Sequence, residues 1–112
     1  YFRPLVFVPT FHKHQNNTCG GCQIHITDRK KFRAVESAVN LMIAFREESI
    51  SDFVWREPPY EYEHTKTPID ILAGSALLRS QIEASISIHE IAESWKFSTE
   101  KFLQIRARHL LY

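Results

Sequence analysis

The chain has 112 residues, a formal net charge of +1, 44% hydrophobic and 12% aromatic residues. That length allows one domain of modest core, burying roughly 65% of its unfolded surface, and the apolar content excludes disorder. The near-neutral charge gives no reason to expect nucleic acid or an anionic membrane as partner, and no apolar run is long enough to span a bilayer.

In chain order, Leu5 to Phe11 reads as a strand. Leu5-Val6-Phe7-Val8 is apolar on both faces, the pattern of a central strand, and Pro9 ends its regular pairing. His12 to Thr18 is polar and reads, with Gly20-Gly21, as a long connection; long loops between strands are disproportionately functional. Asn16-Asn17-Thr18 matches a glycosylation sequon. From Cys22 the residues alternate: Cys22, Ile24 and Ile26 on a face expected to meet the core, Gln23, His25 and Thr27 on the other. Gly20-Gly21 before this strand suits a positive φ or a close backbone approach. Asp28 is placed to cap the helix predicted from Lys30 to about Glu48, whose apolar stripe runs through Phe32, Val35, Val39 and Met42 and widens at Leu41, Ile43 and Phe45. A stripe that wide predicts burial against a sheet and a further partner.

Phe53-Val54-Trp55 reads as a short strand and Glu57 to Pro68 as extended loop. A turn of helix over 69–73 stops at Gly74, Ser75 opens a helix with Leu77, Leu78 and Ile82, and Ser87-Ile88-His89-Glu90 is a capping box. Ser98 or Thr99 is expected to open a separate last helix with Phe102, Ile105 and Leu110. The fold class is α+β: a small sheet backed by helices, helical in its C-terminal half, forming a single domain over 1–112.

Four groups of residues bear chemistry. His12, His14, Cys19 and Cys22 supply four nitrogen and sulfur ligands, the number a structural zinc takes. The plain alternative is a surface loop with two small buried thiols, and a C-x-x-C ahead of a strand lacks the helix N-terminus that favours a redox thiolate. Gln23, His25 and Thr27, about 7 Å apart along a strand, can fix sugar hydroxyls or a carboxylate, or meet another domain. Glu47, Glu48, Glu57, Glu61, Glu63 and Asp70 are carboxylates of the kind a glycosidase pairs, but no setting singles one out. Lys13, Arg29 and Arg3 are cations near the strand ends. Trp55 with Pro58-Pro59-Tyr60 either stacks on a sugar or, the preferred reading, pins its loop to the core.

Phe7-Val8-Pro9-Thr10-Phe11, Lys13, Cys19-Gly20-Gly21, Gln23-Ile24-His25 and Thr27-Asp28-Arg29, with Trp55-x-x-Pro58-Pro59-Tyr60 and an ending of Trp95, Phe102, Arg106 and Leu110-Leu111-Tyr112, resemble the C-terminal domain of the exo-acting β-N-acetylmuramidases of NamZ type. The resemblance covers nearly the whole chain. It implies an auxiliary domain of a bacterial, exported peptidoglycan-recycling glycosidase, in the periplasm or outside the cell. It implies an N-terminal Rossmann-like catalytic domain as partner, which holds the catalytic glutamate, so no catalytic residue is expected here and the chain alone is expected to be inactive. The absence of an opening Met agrees with a fragment. The ligand implied is a muramic-acid-containing glycan, with no cofactor, and the binding or interface set is Gln23, His25, Thr27, Lys13, Thr10, Gly20 and Gly21. In that family Cys19 has a counterpart but Cys22 and the two histidines do not, which weakens the zinc-module alternative.

Overall fold

A computed structural model describes residues 1–111. Two strands and four helices follow one another: β1 (Phe2–Phe7), β2 (Cys19–Ile24), α1 (Ala34–Glu48), α2 (Pro68–Ala73), α3 (Leu77–Glu83) and α4 (Ile88–Ala107). The α+β class is therefore correct. The chain divides into two compact units, residues 1–33 and 34–112.

The first unit is a β-ribbon. β1 pairs antiparallel with β2 in the register Phe2↔Ile24, Arg3↔Gln23, Pro4↔Cys22, Leu5↔Gly21, Val6↔Gly20 and Phe7↔Cys19. Tyr1 and His25 extend it, exchanging both main-chain hydrogen bonds at 2.9 and 3.0 Å. Hydrogen-bonded pairs alternate with non-bonded ones, so Pro4 occupies a position whose nitrogen faces away from β2. The missing N–H costs the ladder nothing. The expectation of a central strand is corrected: β1 starts at Phe2, ends before Pro9 and has β2 as its partner in a two-stranded sheet. Its apolar run is explained by a face left uncovered, with Val6 71% and Ile24 47% exposed, rather than by burial on both sides. The Cys22, Ile24, Ile26 face accordingly does not reach a core: Ile26 is exposed as well.

Asp28 caps, but not the helix expected of it. Its Oδ1 accepts from the amides of Lys30 at 2.9 Å and Lys31 at 3.4 Å, and its carbonyl accepts from Phe32 N. This closes a single turn. α1 begins afresh at Ala34, four residues later than the periodicity implied.

The second unit is helical. Val39 of α1, Ile82 of α3 and Ile91 of α4 are fully buried, and Met42, Ile43, Trp55, Leu78, Ile86, Ile88 and Trp95 pack around them. Each fully buried aliphatic contributes about 1.5–3 kcal/mol. The α1 stripe is narrower than its sequence suggests: Val39 is buried while Val35 and Phe45 stay exposed. Trp55 packs on this core, with Phe53 edge-on to it at 4.9 Å; the segment 53–55 is not a strand. Gly74 stops α2 in the left-handed conformation (φ 78°), donating its N–H to the Ile71 carbonyl. Ser87 and Glu90 close the capping box as expected. Ser98 and Thr99, in contrast, start nothing. With no Gly or Pro between Ile88 and Ala107, the helix runs through them as one element of 20 residues.

Polar links tie the helices together. Arg79 grips Asp70 through Nε–Oδ1 at 2.9 Å and Nη2–Oδ2 at 3.0 Å, joining α3 to α2. Arg46 at the end of α1 donates to the Glu83 carbonyl at 3.0 Å, satisfying a carbonyl at the end of α3. Among the described residues no helix is long and apolar enough to cross a membrane.

Replacing Ile91 by Ala is expected to cost about 2–5 kcal/mol in denaturant unfolding, whereas Leu103→Ala on the exposed half of α4 should change stability by less than about 0.5 kcal/mol. Ser87→Ala should cost about 1 kcal/mol through loss of the cap.

Candidate functional site

The register of the ribbon sorts its side chains. Direct cross-strand partners share a face, so one face carries Tyr1, Arg3, Leu5 and Phe7 from β1 with His25, Gln23, Gly21 and Cys19 from β2. The other carries Phe2, Pro4, Val6, Gly20, Cys22 and Ile24. The first face is mixed: a cation, an amide, an imidazole and two aromatic rings. The second is apolar. The expected polar row of Gln23 and His25 is present, and the structure adds Arg3, directly across from Gln23, and Tyr1, whose ring lies 6.4 Å from that of His25.

Thr27 does not complete that row. β2 ends at Ile24 and the pairing stops at His25, so Thr27 sits in the bend before Asp28. The row depends on a period of two that lasts only while the strand does.

Gly20 and Gly21 lie inside β2, not in a turn before it, and neither has a positive φ. A Cβ on Gly21 would meet Phe7 Cε1 at 3.2 Å, while one on Gly20 would meet nothing. Close approach is thus the reason for Gly21: it leaves a slot on the mixed face into which the Phe7 ring leans.

Thr10 and Lys13 are elsewhere. They belong to the loop joining the strands, at the Phe7–Cys19 end. Six residues of strand separate that end from Tyr1 and His25, about 20 Å. The loop is held from within: Asn16 N donates to the Pro9 carbonyl at 2.9 Å and Gln15 Nε2 to the Thr10 carbonyl at 3.0 Å. His12, His14 and Asn16 adopt positive φ of 60°, 57° and 61°, which is routine for Asn but costs energy for the histidines. Lys13 stands exposed between them.

This geometry overturns the zinc-module alternative. Among the described residues no group of three His, Cys, Asp or Glu side chains could hold a metal ion. Cys19 and Cys22 sit three apart in one strand and so project from opposite faces; both are free thiols. Cys19 Sγ turns to the Asn17 carbonyl at 3.6 Å, and the His12 ring packs edge-on against Phe11 at 5.0 Å.

The second unit holds a cleft of about 400 Å³ lined by Glu63, Lys66, Asp70, Ile71, Gly74, Ser75 and Ala76. Its carboxylates are engaged in structure. Glu63 Oε1 accepts from Thr65 Oγ1 at 2.6 Å, Thr65 N at 2.7 Å and Lys66 N at 3.2 Å, and these bonds, the Thr65 hydroxyl foremost, pull its pKa down to about 2. The Arg79 guanidinium holds Asp70 below the usual carboxylate range. A general acid needs the opposite shift. Trp55 packs against the core, as a residue that pins its loop does.

With this geometry in view, the comparisons decide the family. The model of the exo-β-N-acetylmuramidase NamZ C-terminal domain matches residues 1–112. The chain belongs to that family. The peptidoglycan β-N-acetylmuramidase NamZ of Bacillus subtilis (strain 168) is 34% identical over 112 residues, covering 99% of this chain and 25% of the relative. The chain thus spans a quarter of the length of that relative. No solved structure matches it.

Two outcomes follow for solution work. Titrating the domain with zinc should reveal no tight stoichiometric site, and Cys19→Ser should leave its metal content unchanged. Acid should weaken the fold through Glu63: its folded pKa of about 2 lies below the ordinary 4.5, so its contribution is complete above the ordinary value and is lost as pH falls through the folded one. Thermal unfolding followed over that acid range should show a falling midpoint, and Glu63→Gln should flatten the fall.

Proposed function

We propose that this chain is the C-terminal auxiliary domain of a peptidoglycan-processing exo-β-N-acetylmuramidase and completes the substrate cleft of an N-terminal Rossmann-like catalytic domain. The observation that carries this reading is the family match over the whole chain, together with the relative four times as long. The parent hydrolyses terminal N-acetylmuramic acid from peptidoglycan fragments during cell-wall recycling, and it acts in the periplasm or outside the cell, where that polymer lies.

Two features of the domain support the division of labour. Its carboxylates with shifted pKa are all lowered by hydrogen bonds or ion pairs, which suits scaffold rather than acid catalysis. Its exposed apolar side chains, Phe2, Val6 and Ile24 on the ribbon and Phe97, Phe102 and Ile105 on α4, offer area for a partner to cover. The mixed ribbon face, with Gln23 and His25, supplies the polar groups that a glycan needs. Thr10, Lys13 and Thr27 serve the docked interface from the ribbon's ends.

The test is hydrolysis of a chromogenic β-N-acetylmuramide by this chain and by the full-length protein. Only the full-length protein should cleave; turnover by the chain alone would refute the assignment of catalysis to the other domain. In the full-length protein, His25→Ala should lower kcat/KM about three- to tenfold, the loss of one hydrogen bond, with an unchanged Tm.

A further inference from the structure

The mixed face of the ribbon contains a charge without a counter-charge. Arg3 is exposed, and none of the ion pairs among the described residues includes it. Its neighbours on that face, Tyr1, Leu5, Gly21, Gln23 and His25, include no acidic residue. A guanidinium is always cationic and presents a planar fork of donors that matches a carboxylate two bonds at a time. Such a fork on a face of neutral neighbours can take an anion from outside the ribbon.

The surroundings of Arg3 narrow what that anion belongs to. Gln23, directly opposite, can donate and accept, as a hydroxyl- and amide-rich ligand requires. His25 and Tyr1 form the next row outward, their rings tilted at 57° to each other. On the inner side the row is Leu5 and Gly21, and the edge of the Phe7 ring lies over Gly21, 3.2 Å from where a Cβ would stand. Successive rows on one face are about 7 Å apart. A pyranose lying against the Leu5 and Phe7 side chains would have apolar contact, while a short acidic substituent would reach the row of Arg3 and Gln23. Bare inorganic anions would use the guanidinium and leave the rest idle.

We infer that Arg3 is a specificity-determining residue that binds the carboxylate of a saccharide lying on the ribbon face. This rests on the proposed function for the identity of the sugar. Muramic acid differs from glucosamine by a lactyl ether, and that ether ends in a carboxylate. Arg3 then distinguishes the two by a charge-assisted, bidentate pair. Lys13 is not part of this row: it lies in the loop beyond the Phe7–Cys19 end, and four residues of strand, about 13 Å, separate that end from Arg3.

The experiment is calorimetric binding to the full-length protein, with N-acetylmuramic acid and its lactyl carboxamide as the two ligands. The wild type should bind the acid about ten- to hundredfold more tightly than the amide, the range of a hydrogen bond to a charged group. Arg3→Met should remove that preference and leave the amide's affinity unchanged; Arg3→Lys, which keeps the charge but not the fork, should restore part of it. The inference is overturned if the wild type binds neither ligand or has no preference for the acid. It is equally overturned if Arg3→Met weakens both ligands alike, as a residue facing the neighbouring domain or supporting the fold would. The two readings fail separately. Loss of the acid preference in Arg3→Met without hydrolysis of the chromogenic substrate would sink the proposed activity alone. Hydrolysis with an unchanged preference would sink the role of Arg3 alone.

Discussion

The antiparallel register between β1 and β2 is the constraint on which the candidate site depends. Pairing Arg3 with Gln23 and Phe7 with Cys19 places every odd-numbered residue of both strands on one face. A slip by one residue would put Gln23 and His25 on the face opposite to Arg3. Two local features fit the observed pairing. Pro4 falls where no N–H is needed, and Gly21 falls where the Phe7 ring approaches to 3.2 Å of the missing Cβ. The site is thus an outcome of backbone pairing, and its side chains need little else to be brought together.

The helical unit stands on different physics. Its core is small, with Val39, Ile82 and Ile91 fully buried, and much of its order comes from polar closures at helix ends. The Ser87–Glu90 box, the Arg46 contact with the end of α3 and the Arg79–Asp70 pair each satisfy groups that a helix terminus or a buried charge would otherwise leave costly. The same economy accounts for the lowered pKa values. Glu63 organises the turn over 63–66 by accepting three hydrogen bonds, so its carboxylate is committed before any ligand arrives.

Apolar surface stands open in both units. Phe2 and Val6 on the apolar face of β1 are exposed, and α4 carries Phe97, Phe102 and Ile105 beyond its last buried turn. Isolated domains seldom keep so many large apolar side chains in water. The chain spans a quarter of the length of its Bacillus subtilis relative.

Signals that act within a few residues were legible without the fold. The Ser87–Glu90 cap, the stop at Gly74, the Gln23/His25 alternation and the family motif each depend on neighbours along the chain. The motif named the family, and periodicity alone reached only the α+β class. Signals that depend on partners distant in sequence were not legible. Whether Ser98 caps or is passed over depends on the helix around it. Whether His12, His14, Cys19 and Cys22 converge depends on strand polarity, which turns the two thiols to opposite faces. Whether Lys13 joins Gln23 depends on the length of ribbon between them. Arg3 could have been placed from the sequence had the strand been started at Phe2, because the period of two then puts it beside Gln23. Spacing fixes which side chains share a face of one strand; only the pairing of two strands decides which faces become one surface.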